Sequence, residues 1–474
     1  MPGKEKQKNR LPDMARIKKV HFVGIGGCGM SALAKILAKK GFVVSGSDIK
    51  ESVNTIRLKD LGARIFIGHS GENARGADLT VVSSAIPADN EEVEESLSSG
   101  IPVVKRAVML SWIMDQFKVR IAVAGTHGKT TTTSMIATML SRCDKDPTFL
   151  IGGEANDVDG NARIGTGPYV VAEADESDGS FMTLHPTAEV ITNIEPDHME
   201  HFGTFDKVME EFTGFASLVP DEGIIILGGD GEGQNAIRRS LDKKNIVTYG
   251  FTPEKDYHAE NFRFSERRSK FDVFKGSDRL GEVTLCVPGK QNIENALAAI
   301  AIGLHFNCGF SKISSGLQFF TGAKRRFQII GEFNDVMIID DYAHHPTEVM
   351  RTLEAAKLGY PERRIICVFQ PHRFTRTLYF YEQFGASFNN ADITIITDIY
   401  SAGESPIEGI SGKTIYNEVK KQAKETIFLK KKEQIVKHLL DIARPKDLII
   451  TMGAGDITNL GKELLNRMRE RGQV

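Results

Sequence analysis

The chain has 474 residues, 41% hydrophobic and 26% charged, which fits about two to four folded domains and excludes wholesale disorder. With 60 basic and 62 acidic residues the net charge is −2, so nucleic-acid binding through bulk charge is not expected. Five scattered cysteines without a CxxC pair, a polar Met1–Lys19 segment and no run of about 18 apolar residues argue against disulfide frameworks, structural zinc, secretion and membrane spans, and for a cytoplasmic protein.

Short apolar runs alternate with amphipathic stretches along nearly the whole chain, a pattern of α/β domains with sheets covered on both faces. The first predicted strand, Val20–Val23, leads into Gly24-Ile25-Gly26-Gly27-Cys28-Gly29 and a helix from Met30 to Lys39. Gly24, Gly26 and Gly29 match G-x-G-x-x-G, a turn that aims helix N-terminal amides at a pyrophosphate. Three readings stay open: an NAD(P) oxidoreductase with Asp48 as its ribose acid, a site for another diphosphate such as a UDP-linked sugar, or a turn without ligand. Strands are also predicted at Phe42–Val44 and Leu79–Val82, followed by a helix carrying Leu110, Ile113, Met114 and Phe117.

Near Gln116–Arg120 a fresh strand begins. Ile121–Ala124 ends in Gly125-Thr126-His127-Gly128-Lys129-Thr130-Thr131, followed by helical Met135–Ser141. Backbone amides in such a loop wrap a triphosphate, Lys129 reaches its outer oxygens, and the Thr130 hydroxyl suits Mg²⁺. Val123 stands where the usual G-x-x-x-x-G-K-[ST] spacing has glycine, so this is a shorter variant. Two more strands end in polar groups: Tyr169–Ala172 in Glu173-Ala174-Asp175-Glu176-Ser177-Asp178, and Val190–Thr192 in Asn193-Ile194-Glu195-Pro196-Asp197-His198. Their oxygen-rich surroundings suit Mg²⁺, with one imidazole at most, better than zinc on His198 and His201.

After strand Ile224–Leu227, Tyr257–Val287 reads as hairpin material. Lys290-Gln291-Asn292-Ile293-Glu294-Asn295 then opens a helix through Ala301. Asn292 and Asn295 share a face, aimed at nucleotide and substrate or serving as a cap and a solvated residue. Near Gly322–Arg326 a last series starts. Val336–Ile339 precedes Asp340-Asp341-Tyr342-Ala343-His344-His345-Pro346-Thr347-Glu348, and Ile365–Phe369 precedes Gln370-Pro371-His372-Arg373-Phe374-Thr375-Arg376-Thr377. Adjacent His344 and His345 cannot both face one way, so one is expected to meet a ligand. Arg326, Arg373 and Arg376 offer paired donors for a carboxylate or phosphate. Ile393–Thr397 and Leu448–Met452 complete the predicted strands. Domains are expected near 1–118, 119–322 and 323–474.

These strings resemble the Mur ligase family, ATP-dependent amide-forming enzymes of peptidoglycan synthesis, over nearly the full length. Gly125–Thr131 is similar to that family's ATP loop, Glu173 and His198 fall at its magnesium positions with Thr130, and Asn292, Asn295, Arg326 and Asp341 fall on its remaining signature positions. The glycine string Gly24–Ser31, the Asp341–Pro346 string and the Pro371–Thr377 string resemble the member that adds L-alanine to UDP-N-acetylmuramate. A relative that reattaches recycled tripeptide to the same sugar nucleotide shares the second string and usually lacks the third. The resemblance implies a Rossmann-like first domain holding the UDP-sugar at Gly24, Gly26, Gly27 and Gly29, with His69, Ser83 and Ser84 as further contacts. It implies a central P-loop-type ATPase domain with a mostly parallel sheet, binding ATP at Gly125, Thr126, His127, Gly128, Lys129, Thr130, Thr131, Asn292 and Asn295. It implies a Rossmann-like C-terminal domain placing Tyr342, His344, Arg373 and Arg376 around the amino acid. Lys129, Glu173, His198, Asn292, Asn295, Arg326, Asp341 and His344 are the implied catalytic set. The implied partners are small molecules, with neither nucleic acid nor membrane, in a monomer or homodimer.

Overall fold

The computed structural model describes residues 11–155, 160–229, 231–241, 245–422 and 425–472; the first ten residues of the basic N-terminal segment thus lie outside it. The architecture is three-domain α/β, with one mostly parallel sheet per domain. Among the described residues no helix is long and apolar enough to cross a membrane.

The first sheet holds β1 (Lys19–Val23), β2 (Val43–Asp48), β3 (Arg64–Ile67), β4 (Leu79–Val82) and β5 (Val103–Lys105), all parallel, in the order β3-β2-β1-β4-β5. The order reverses beside β1, and crevices for ligands form at such a switch point, beyond the strands' carboxyl ends. The Gly24–Gly29 loop sits there. β1 is central and buried from Val20 to Val23. β3 and β5 lie at the edges and have only mixed burial or three residues, which is why apolar runs did not reveal them.

The second sheet comprises β6 (Val119–Ala124), β7 (Thr148–Ala155), β8 (Gly160–Arg163), β9 (Tyr169–Glu173), β10 (Ala188–Ile191), β11 (Ile224–Gly228), β12 (Ile246–Gly250), β13 (Tyr257–Ser265), β14 (Arg268–Lys275) and β15 (Asp278–Leu285). Their order is β15-β14-β13-β12-β11-β10-β6-β9-β7-β8. β6 lies between β10 and β9, parallel to both, so the loop after it is flanked by both polar strand ends. The helix after this loop runs Lys129–Arg142, starting six residues earlier than the expected Met135. The threonine run Thr130–Thr133 has weak helix propensity, but the glycine-shaped loop and burial of Thr131, Thr132 and Thr133 set its conformation.

The third sheet holds β16 (Gln328–Phe333), β17 (Val336–Asp341), β18 (Arg364–Phe369), β19 (Ile393–Ile396), β20 (Thr426–Phe428) and β21 (Asp447–Met452), in the order β16-β17-β21-β18-β19-β20. β16 is antiparallel to β17 and the other neighbours are parallel. Apolar clusters cover both faces, one including Ile339, Leu353, Phe369, Phe384 and Ile450, the other Ile338, Val368, Ile395, Leu439 and Leu464. By contact density the chain falls into two compact units: Met1–Ala259 with Val273–Gly281 and Glu294–Phe320, and Glu260–Asp272 with Glu282–Ile293 and Thr321–Val474. The first two sheets' loops therefore share a unit, and the third sheet belongs to the other.

Candidate active site

Gly125 and Gly128 take φ of +127° and +86°, a region costly for other residues. A Cβ on Gly125 would stand 2.1 Å from Thr192 Oγ1, and one on Gly128 would stand 2.7 Å from Asn295 Oδ1. The end of β10 clamps the loop. Thr192 Oγ1 donates to the His127 carbonyl at 2.6 Å, the Asn193 amide donates to the same oxygen at 2.9 Å, and Asn193 Oδ1 accepts from His127 N at 2.9 Å. Thr126 Oγ1 accepts from Glu195 N at 2.9 Å. No side chain caps the Lys129–Arg142 helix, so its first-turn amides stay available for phosphate oxygens.

Lys129 is deeply set. Its Nζ lies 2.7 Å from Glu176 Oε1, 2.6 Å from the Gly125 carbonyl and 3.2 Å from that of Thr126. Burial alone would lower its pKa, but the carboxylates of Glu176, Asp175 and Glu173 outweigh it and hold the ammonium charged. Burial pushes Glu176 up, opposed by Lys129. Thr130 Oγ1 sits 3.1 and 3.0 Å from the two oxygens of Glu173, which also accepts from Gly152 N at 2.8 Å. A hydroxyl beside a carboxylate in a glycine cradle is the hard-oxygen donor set that Mg²⁺ takes, so these residues fit a magnesium–triphosphate group. His198 has φ of +54° and lies 3.8 Å from both Asp197 and Glu200. Asn295 Oδ1 accepts from Thr132 Oγ1 at 3.1 Å, on the loop's helix. Asn292 instead donates to the Pro288 carbonyl at 2.7 Å, within its own helix start.

The first loop is built otherwise. Gly24 N and Ile25 N donate to the Ser47 carbonyl, each at 2.9 Å, and Gly26 N donates to Asp48 Oδ2 at 2.9 Å. Asp48 thus meets its own loop. Gly27 starts the helix Cys28–Lys39 without a side-chain cap. Ser83 and Ser84 line a cavity of about 310 Å³ with Ile86, Arg106, Asp178 and Ser180. A Cβ on Gly24 would meet Ser83 Cβ at 3.3 Å. His69, just beyond β3, points Nδ1 at Ser47 Oγ, 3.1 Å away.

Two residues here escaped sequence reasoning. Arg106 Nη2 reaches Asp175 Oδ2 at 3.0 Å, while a Cβ on Gly29 would stand 3.1 Å from its Nη1; one guanidinium joins the first loop to the acidic end of β9. Asn161 donates to the Cys28 carbonyl at 2.6 Å and to Ser31 Oγ at 2.9 Å. Both stand alone in sequence, with no motif around them.

In the other unit, Arg326 Nη1 pairs with Glu348 Oε1 at 3.2 Å and lies 5.3 Å from the Tyr342 ring centre. Burial raises Asp341 to about 6, against the pull of Arg326 and the amides of Phe327 and Ala343. His344 Nδ1 approaches the Tyr342 carbonyl at 2.9 Å, and its ring meets those of Tyr342 and His372 edge-on. His345 is buried against Phe380 and caps the helix Pro346–Gly359. The adjacent histidines therefore diverge. Arg376 Nη1 lies 3.3 Å from His372 Nδ1, and Arg373 lies 4.0 Å from Glu404. Tyr342, His344, His372 and Arg376 thus form one cluster in which a guanidinium sits beside aromatic and imidazole rings, donors of the kind that bind a carboxylate.

Family models match over most of the chain: "Mur ligase family, catalytic domain" at residues 19–118, "Mur ligase middle domain" at 123–303, and "Mur ligase, glutamate ligase domain" at 325–455. The sequence is 46% identical to the UDP-N-acetylmuramate–L-alanine ligase of Pelotomaculum thermopropionicum, over 97% of this chain and 100% of that relative. Among solved structures it is similar to the UDP-N-acetylmuramate–alanine ligase of Thermotoga maritima, with TM-score 0.82, 31% identity and coverage of 96% and 99% of the two chains. It is similar also to a murein peptide ligase of Psychrobacter arcticus, with TM-score 0.71, 26% identity and coverage of 95% and 98%.

Proposed function

The chain belongs to the Mur ligase family, and from that premise we infer that it is an ATP-dependent ligase adding L-alanine to UDP-N-acetylmuramate in peptidoglycan synthesis. The observation that carries the chemistry is the buried Lys129, set between the loop carbonyls and Glu176, beside the Thr130–Glu173 pair.

A carboxylate is a poor electrophile, so amide formation in water needs activation. In the proposed route the lactyl carboxylate of the sugar nucleotide attacks the γ-phosphorus of ATP. ADP leaves, the amine of alanine attacks the acyl phosphate, and phosphate departs. Two anions must meet in the first step. At about 4 Å and an effective dielectric near 20, each unit of repulsion is about 4 kcal/mol. The Lys129 ammonium, kept charged by three carboxylates, offsets that repulsion, and the loop amides align the phosphates. Mg²⁺ bound by Thr130, Glu173 and His198 would supply further charge neutralisation. Asn295 steadies the loop through Thr132 and Gly128. The first loop and the Ser83–Ser84 cavity hold the UDP-sugar. In the C-terminal domain Arg376 and Arg373 take the alanine carboxylate, and His344 or Asp341 accepts the amine proton.

Reattachment of tripeptide is the second reading, favoured by the likeness to the murein peptide ligase but at lower identity, 26% against 46%. An NAD(P) oxidoreductase leaves the Lys129 loop without a task. Phosphate release with ATP, Mg²⁺, UDP-N-acetylmuramate and alanine, glycine, serine or tripeptide in turn tests the reading. Alanine is expected to support the largest kcat/KM; tripeptide outrunning it, or NADH oxidation in place of ADP release, would overturn it.

A further inference from the structure

Behind the first loop lies a polar cluster that the reaction does not use directly. Glu92, on the helix Glu91–Ser98, has no exposed side-chain surface. It nevertheless accepts from Ser47 Oγ at 2.5 Å, Asn73 Nδ2 at 2.7 Å, Ser70 N at 3.3 Å and His21 Nε2 at 3.4 Å. Burial would push this carboxyl up, but the hydrogen bonds from His21, Ser47 and Asn73 bring it down to about 2. It is therefore an anion, and an ionised carboxylate only accepts.

That fixes the direction of its neighbours. Ser47 gives its hydrogen to Glu92, which leaves the Ser47 oxygen as an acceptor. His69 Nδ1, 3.1 Å from that oxygen and 3.5 Å from Glu92 Oε2, must then carry a hydrogen. In a neutral imidazole the other nitrogen is thereby a lone-pair acceptor. The His69 ring keeps 19% of its surface exposed. It also sits at the loop's edge, because Gly68 N donates to the Asp48 carbonyl at 2.8 Å and Asp48 holds Gly26.

We propose that Glu92, acting through Ser47, is a positioning residue that holds His69 as its Nδ1–H tautomer, so that Nε2 accepts from an N–H or O–H of the bound sugar nucleotide. This rests on the reading that the first domain holds the UDP-sugar. Glu92→Gln puts a donor where only acceptors stood. Its amide turns the Ser47 hydroxyl toward His69 and selects the Nε2–H tautomer, which cannot accept.

Nitrogen-15 NMR of His69 in the full-length protein, with kinetics of three variants, tests this. Wild type is expected to show Nδ1–H and Glu92→Gln to show Nε2–H. The KM for UDP-N-acetylmuramate is expected to rise about 10- to 100-fold in Glu92→Gln, with kcat and the KM for ATP unchanged. In a His69→Ala background Glu92→Gln should add nothing, and Ser47→Ala should raise the same KM if Glu92→Gln does not fold. An Nε2–H tautomer in the wild type, an equal rise in the KM for ATP, or a KM rise that persists without His69 would each overturn the proposal. A wild-type protein inactive with UDP-N-acetylmuramate would contradict the function itself, and the tautomer of His69 would still decide this point.

Discussion

The loop after β1 and the loop after β6 both end a central parallel strand, both start a helix with no side-chain cap, and both carry glycine where a Cβ would strike a neighbour. Their side chains differ. The first loop spends the Gly26 amide on Asp48, and its basic neighbour, Arg106, comes from another helix. The second has Lys129 in the loop's own helix, ringed by carboxylates, and a hydroxyl–carboxylate pair at 3.0 Å. Under the proposed function the same backbone device would serve holding in one place and charge-driven transfer in the other. What distinguishes them is which side chain follows the last glycine.

The largest effect expected from this contrast is in Lys129→Ala. Turnover should fall about 10²- to 10³-fold, while calorimetric affinity for UDP-N-acetylmuramate stays near wild type; equal losses of both would erase the distinction. Gly125→Ala comes next. Its Cβ would collide with Thr192 in a left-handed backbone, so thermal unfolding should show a loss of about 1–3 kcal/mol. Gly26→Ala displaces the flexible Asp48 carboxylate, 2.7 Å from the new Cβ. Affinity for the sugar nucleotide should drop about tenfold, roughly 1.4 kcal/mol, with the KM for ATP unmoved.

A smaller, pH-dependent effect comes from outside both loops. Asp341 titrates near 6 in the folded chain against 3.8 as its ordinary value. Accepting the amine proton needs the ionised form, which the Arg326 charge and the Phe327 and Ala343 amides favour, so kcat/KM should rise as pH passes 6, and Asp341→Asn should flatten that limb. Stability runs the other way. A folded pKa above the unfolded one means the contribution is complete below about pH 4 and is lost as pH climbs through about 6. Parallel rather than opposed pH trends in activity and melting temperature would contradict this assignment.

Much of this was legible in the residues, for physical reasons. Central strands such as β1, β6 and β21 are covered on both faces and read as mainly apolar runs, whereas edge strands β3 and β20 are short and half-exposed and β5 has only three residues. The β7–β8 hairpin escaped because Gly152, Gly153 and Glu154 interrupt its pattern. At the site, the glycine spacing exposed both loops and strand-end acids exposed Glu173. Which carboxylate would meet Lys129 depended on how β9 ends, and that Glu176 does so is a tertiary fact. Asn161 and Arg106 act through distant backbone and side-chain partners, and nothing local marks them. Asp48 shows the converse: its position suggested a ligand, and its nearest partner is its own loop.

The central claim is that the second loop moves a phosphoryl group onto the sugar's carboxylate. UDP-N-acetylmuramate labelled with oxygen-18 in its lactyl carboxylate, turned over with ATP, Mg²⁺ and alanine, tests it directly by mass spectrometry of the phosphate released. The account predicts one labelled oxygen in each phosphate formed; unlabelled phosphate accompanying labelled amide product would contradict it.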